Sequence, residues 1–255
     1  MSKFLQKVVD VCYWNTNLFS FKIERPREFK FKSGEFVMIG LPGFEKPILR
    51  AYSICSPSWE DTLEFYSIIV PNGPFTSKLK DIQINDKIVL MSKSTGTLII
   101  DALKPAKQLF LLSTGTGFAP FASIIRDPET FEKYDHVYIT HTCRNIKELR
   151  FSEMIVNECL NNNLLKEFTL NKLSFYKTTT QEKSQFNGRI TDKINDKSLF
   201  NDLGIKDFNY RTDCVMMCGS LEFNNELKEI LLSKNFSEGA TNNPGSFVLE
   251  KAFVG

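Results

Sequence analysis

The stretch LLSTGTGFAPFASII, residues 111–125, opens as an apolar run, turns on Gly115 and Gly117, and continues past Pro120 into a helix-like pattern. A short uninterrupted apolar run fits a strand covered on both faces. Proline fits the first turn of a helix, because its missing amide proton has no helical partner there. Strand, glycine turn and helix in that order open a unit of a parallel sheet, whose ligands bind beyond the carboxyl ends of the strands. The two glycines let the backbone approach a ligand and take positive φ, and free amides at a helix start attract an anion. By itself the stretch fits either a phosphate cradle or an ordinary turn, since Pro120 stands where a phosphate fingerprint usually keeps a third glycine.

Downstream the alternation continues. HVYITHTC (136–143) reads as a strand, KELRFSEMIVNECL (147–160) as a helix, FTLNKLSFY (168–176) as containing a strand and CVMMC (214–218) as another. In FNNELKEILLS (223–233), Phe223, Leu227, Ile230 and Leu231 share one helical face, and SFVLEKAF (246–253) is a last strand. The reading is an open parallel α/β sheet with helices on both faces.

Upstream the pattern differs. KVVDVCYW, LFSFKIERP, GEFVMIGLP, LRAYSICSP, LEFYSIIVPNGP and DKIVLMSK are short β-type segments separated by turn residues, as in an antiparallel barrel or sandwich. One helical interruption is expected at PFTSKLKDI, with Thr76 and Ser77 as caps and Leu79 and Ile82 one turn apart. No low-complexity linker separates the halves, so the expected division is residues 1–100 and 101–255, with a short junction and packed domains.

Composition narrows the function. The chain has 255 residues, 42% of them hydrophobic, enough for a sizeable core. Its 32 Lys and Arg against 30 Asp and Glu leave a net charge of +2, too slight for a nucleic-acid binder. No apolar run has the length of a membrane span or a signal peptide, so the cytoplasm is the expected location. The six cysteines form no CxxC pair, and His136 and His141 lack ligand spacing with them, which argues against zinc and iron–sulfur sites.

Two upstream stretches carry site chemistry. In LRAYSICSP, Arg50 and Tyr52 alternate onto one face, with Ser53 beside them on the other. Arginine pairs with phosphate, tyrosine stacks on a flat ring and a serine hydroxyl donates to a ring nitrogen, which together meet the needs of a flavin dinucleotide. An exposed strand with ordinary surface residues is the alternative. NGPFTSKL offers a second anion cradle or a plain helix cap.

Taken together, RAYSICSP, LEFYSIIVPNGPFTSKL, GTGFAPFASIIRDP, TCRNIKEL, YKTTTQE, GRITD, MCGSLEFN and EKAFVG resemble, in order and over essentially the whole chain, the bacterial FAD-containing ferredoxin–NADP reductases. The resemblance implies a two-domain protein, an antiparallel FAD-binding β-barrel followed by an NADP-binding α/β domain whose C-terminal tail covers the flavin. It implies that Arg50 and Ala51 hold FAD with Tyr52 stacked on its ring system, and that Ser53 lies near the reactive flavin nitrogen. It places Tyr66, Ser67, Ile68 and Ile69 along the flavin, Gly73, Thr76 and Ser77 at the pyrophosphate, and Ala252 and Phe253 over the other flavin face. For NADP(H) it implies Gly115, Thr116, Gly117, Gly219 and Ser220, with Arg144 and Arg189 on the 2′-phosphate. Cys218 and Glu250 would join Ser53 at the reacting centre, Cys218 being otherwise a small core residue and Glu250 a surface strand residue.

The implied activity is hydride transfer between NADP(H) and flavin, coupled to single-electron exchange with ferredoxin or flavodoxin, by a protein acting as a monomer. One position departs from the pattern. Relatives commonly read TTTRE where this chain reads TTTQE, so Gln181 replaces an arginine and the preference for NADPH is weakened, with Lys183 two residues on. Two other readings keep some of the motifs: a reductase component serving an oxygenase, and a non-catalytic flavin-binding module. The absence of the C-x4-C-x2-C run of an iron–sulfur domain disfavours the first. The joint presence of flavin and nucleotide motifs disfavours the second.

Overall fold

The computed structural model describes residues 2–43 and 48–252. Its N-terminal part contains strands β1 (Lys3–Tyr13), β2 (Leu18–Glu24), β3 (Phe36–Gly40), β4 (Leu49–Ser53) and β5 (Thr62–Ile68), the one-turn helix α1 (Thr76–Leu79) and strand β6 (Lys87–Thr95). These strands form one antiparallel sheet in the order β4-β3-β6-β1-β2-β5. The two edge strands meet where Ile54 bridges Phe65 and the Cys55 amide donates to the Glu64 carbonyl at 2.8 Å, which curls the sheet toward a barrel. Inward-facing Val8, Phe21, Ile39, Phe65 and Leu90 fill it.

The expected caps of α1 are corrected by the structure. Phe75 occupies the N-cap and makes no side-chain cap bond. The Thr76 hydroxyl instead accepts the Val70 amide at 3.1 Å, because the loop from Val70 must close before the helix begins.

After a 3₁₀ turn at Ile100–Ala102 the chain builds β7 (Gln108–Thr114), α2 (Ala119–Ile124), α3 (Pro128–Lys133), β8 (His136–Cys143) and α4 (Arg150–Asn161). It continues with α5 (Lys166–Thr169), β9 (Leu173–Thr179), α6 (Ile190–Asn195), α7 (Ser198–Leu203), β10 (Asp213–Gly219), α8 (Leu221–Ser233) and β11 (Phe247–Lys251). The five strands are parallel, in the order β11-β10-β7-β8-β9. The chain moves outward from β7 to β8 and β9 and then returns to the other side of β7. The strand order therefore reverses between β7 and β10, and in such sheets the crevice at that reversal receives the ligand.

The two sheets are tied together by buried contacts. Tyr66 on β5 stacks on Phe151 of α4 at 4.3 Å and 16°, with Trp14 and Phe118 edge-on to the same ring. Arg126, just past α2 and 2% exposed, donates to Glu64 Oε2 on β5 at 2.7 Å and to the Cys55 carbonyl at 2.6 Å. The Ser123 hydroxyl donates to the Ser56 carbonyl at 2.8 Å. Aromatic stacking is worth about 0.5–1.5 kcal/mol per pair beyond its burial, while removing one partner of a buried ion pair costs about 3–5 kcal/mol. The ion pair is thus the contact whose loss the interface would feel most.

Candidate functional site

A cleft opens between the sheets. Ala51, Tyr52, Ser53, Tyr66, Ser67, Ile68 and Thr76 line it from the antiparallel side, and Thr116, Ala119, Cys218 and Ala252 from the parallel side. Segments separated by up to two hundred residues thus converge on one space.

On the antiparallel wall, the Tyr52 hydroxyl shares a 2.8 Å hydrogen bond with Ser67 Oγ, and its ring packs edge-on to Phe65 at 6.2 Å and tilted against Phe75 at 5.9 Å. Burial raises its pKa to about 12, the Ser67 bond opposing, so the phenol stays neutral. The Arg50 guanidinium donates only to the neighbouring Leu49 carbonyl and has no carboxylate partner among the described residues. A cation left without an anion beside a cleft is suited to a diphosphate.

The parallel wall lies at the sheet reversal. Gly115 takes φ +52°, and a Cβ built on it meets no atom within 4 Å, so the turn is open on that side. Gly117 has a different reason to be glycine: a Cβ there would lie 2.1 Å from the Cys218 carbonyl oxygen. It packs the turn after β7 against the end of β10, and Gly219 does the same against Thr114 and Phe223. Ser220 caps α8 by accepting the Phe223 amide.

Cys218 is buried and held well above the ordinary thiol range by that burial and by Glu250, its neighbour in register on β11. It is therefore a neutral thiol. Glu250 Oε1 accepts the amide and hydroxyl of Thr97, which tethers β11 to the end of the antiparallel sheet, while buried Oε2 has no partner among the described residues. Burial pushes the Glu250 carboxyl pKa up, against the Thr97 hydrogen bonds.

Three further segments meet beyond the ends of β8 and β9. The Arg144 carbonyl accepts the amides of Gln181 and Glu182 at 3.0 and 3.1 Å, and the Gly188 amide donates to the Thr179 carbonyl at 3.0 Å. Arg144, Gln181 and Arg189 are thus carried on adjoining loops. Arg144 has no ion-pair partner among the described residues, whereas Arg189 is paired with Glu226 of α8 at 2.6 Å.

The profile for the oxidoreductase FAD-binding domain matches residues 4–98, and that for the oxidoreductase NAD-binding domain matches residues 111–229. The chain is 49% identical over 251 residues to the flavodoxin/ferredoxin–NADP reductase of Rhodobacter capsulatus, covering 98% of this chain and 93% of that one. The chain belongs to the ferredoxin–NADP reductase family. It is 41% identical to the Pseudomonas aeruginosa ferredoxin–NADP reductase, with 98% of both chains covered. Its fold matches the crystal structure of the Neisseria gonorrhoeae ferredoxin NADP+ reductase with bound FAD and NADP at a TM-score of 0.90, 26% identity, and coverage of 99% and 100%.

This reductase therefore carries the antiparallel FAD-binding and parallel nucleotide-binding halves expected from its sequence. The residues read as flavin-contacting line the cleft, apart from Arg50, Ile69, Gly73 and Ser77, which flank it in sequence, and Phe253, which lies outside the described residues. Two buried residues escaped the sequence reading. His141 binds the Gly115 carbonyl at 2.8 Å from β8, and Arg126 joins the two halves. His141 sits within a run already assigned to a buried strand, and a polar residue there is the signal that could have marked it.

Proposed function

We propose that this chain transfers hydride between NADP(H) and FAD and exchanges single electrons with ferredoxin or flavodoxin. The observation that carries the reading is the shared cleft, in which Ser53 and Tyr52 of the flavin half face Thr116 and Cys218 of the nucleotide half. FAD, when bound, supplies the conversion between a two-electron hydride and single electrons.

The protein's part is orientation and electrostatics. Arg50, next to Ala51, would neutralise the FAD diphosphate together with the Gly73, Thr76 and Ser77 turn. Tyr52 would present its neutral ring to the flavin, with Tyr66, Ser67, Ile68 and Ile69 along it, and Ser53 would donate to the reactive nitrogen. Ala252 and Phe253 would close the opposite side. Gly115, Thr116, Gly117, Gly219 and Ser220 would hold the nucleotide at the sheet reversal. Cys218, as a neutral thiol, would bound the reacting centre without reacting, and the Glu250 carboxyl, its pKa pushed up by burial, would stand close by.

Arg144 and Arg189 would bind the 2′-phosphate, with Gln181 in place of a third arginine. We assign the flavin half to residues 1–100, the nucleotide half to residues 101–255, and activity to the monomer. No helix among the described residues is long and apolar enough to cross a membrane. That and six unpaired cysteines support a reducing cytoplasmic setting. The partner assignment rests on the relatives' names, which include flavodoxin and ferredoxin.

Anaerobic stopped-flow mixing of the FAD-loaded protein with NADPH and with NADH tests the reading. Fast bleaching of the flavin by NADPH is expected; no bleaching with either nucleotide would overturn it.

A further inference from the structure

Arg126 is among the largest fully buried side chains of the protein, and nothing in the hydride-transfer reading uses it. Each of its three guanidinium nitrogens has a partner. Nη2 donates to Glu64 Oε2 at 2.7 Å and to the Cys55 carbonyl at 2.6 Å, Nε donates to the Ala122 carbonyl at 3.0 Å, and Nη1 lies 3.7 Å from Glu158 Oε2. Its carbonyl accepts the Trp59 indole N–H at 3.3 Å.

The anchored points have a common feature. Cys55 is two residues beyond Ser53, and Glu64 is two residues before Tyr66 on the same strand, so both lie beside the flavin wall of the cleft. Ala122 belongs to α2, whose N-terminal end continues directly from the Gly115–Gly117 turn. One side chain therefore grips the flavin-lining segments on one side and the nucleotide-turn helix on the other.

We propose that Arg126 is a positioning residue that fixes the nucleotide turn relative to the flavin wall and so sets the alignment for hydride transfer. The planar fork suits the task, because two acceptors from the same half are held from one nitrogen while Nε fixes the side chain to its own helix. A compact ammonium cannot reproduce that geometry. The inference rests on the hydride-transfer reading above, and small misalignments between reacting groups cost rates heavily: a displacement of about 1 Å can cost on the order of a hundredfold.

A structural role alone and a positioning role predict different behaviour when the ion pair is replaced as a unit. Arg126→Met leaves Glu64 buried without its partner, whereas R126M/E64L removes both charges, a change that is often neutral or stabilising. The test uses FAD-loaded wild type, R126M, R126K and R126M/E64L, with thermal melting, flavin content and the rate of flavin bleaching at saturating NADPH.

We expect R126M to melt lower and the double variant to recover its melting temperature. Both should keep FAD and bleach at least about tenfold more slowly than wild type at saturating NADPH, with R126K intermediate. The long-wavelength absorbance of nicotinamide stacked on flavin should weaken in the same order. A stable double variant that bleaches at the wild-type rate would overturn the proposal and leave Arg126 with stability alone, and so would a wild-type rate in R126K or R126M. Should neither methionine variant fold, the R126K rate decides. Failure of wild type to bleach would strike the hydride-transfer reading instead.

Discussion

The imidazole Nε2 of His141 lies 2.8 Å from the carbonyl oxygen of Gly115, the left-handed residue of the turn after β7, and the ring is fully buried. A carbonyl only accepts, so Nε2 carries the proton, while Nδ1 lies 2.7 Å from the Ser152 hydroxyl, which also reaches the Leu149 carbonyl at 2.8 Å. Burial holds the His141 pKa down to about 4, with the Gly115 contact opposing. The ring is neutral at working pH and fixes the turn from beneath.

That shift has a stability consequence. Between about pH 4 and the ordinary value near 6.5, the unfolded chain binds a proton at this site that the folded chain refuses. Stability from this group is full above 6.5 and is lost as pH falls toward 4, amounting to about 3 kcal/mol over the window. The melting temperature should therefore fall on acidification from pH 7 to 4.5, and His141→Gln should flatten that fall. Identical pH profiles for the two proteins would clear His141 of the effect.

The two glycines of the turn should separate by substitution. Gly117→Ala drives a Cβ to 2.1 Å from the Cys218 carbonyl, so it should destabilise the fold by about 1–3 kcal/mol. Gly115→Ala meets no atom and bears only left-handed strain of about 1–2 kcal/mol. Its main effect should be a raised KM for NADPH. Melting curves and KM for both variants check the contrast, which fails if Gly115→Ala destabilises more than Gly117→Ala.

Glu226 competes with any phosphate for Arg189, since the pair is formed at 2.6 Å with both side chains partly in solvent. Such pairs are worth about 0.2–1 kcal/mol. Glu226→Gln should accordingly lower the KM for NADPH by up to about fivefold at low salt, with little change for NADH, and the gain should shrink as salt screens the site. Arg189→Ala should raise the KM for NADPH far more than for NADH. Equal effects on both nucleotides would dismiss the 2′-phosphate role.

Ser53→Ala removes one hydroxyl from the cleft wall without leaving a buried charge. The protein should retain FAD and bleach with NADPH about tenfold more slowly, the equivalent of one lost hydrogen bond of about 1.4 kcal/mol. An unchanged bleaching rate in the FAD-loaded variant would remove Ser53 from the reaction.

The local patterns carried most of the architecture. HVYITHTC coincides with the strand His136–Cys143, the apolar face read from Phe223, Leu227 and Leu231 is buried on its helix, and the switch from short β segments to strand–helix alternation marks the change of sheet. These features depend on neighbours a few residues apart, where periodicity acts. The caps of α1 escaped the reading because the Thr76 hydroxyl is claimed by Val70, six residues back, in a loop whose closure no periodicity records.

The tertiary structure decided how distant segments meet. Sequence placed Gly117 in a phosphate-type turn; the order β10-β7 made it the residue on which Cys218 rests. Arg126 appears in the sequence only as part of GTGFAPFASIIRDP, yet the packing of the two sheets buries it against Glu64, 62 residues away. A buried arginine is tolerated only where acceptors have already been brought to it. Glu64 and the Cys55 carbonyl come from the antiparallel half, so the contact depends on how the two halves pack, which local sequence pattern does not contain.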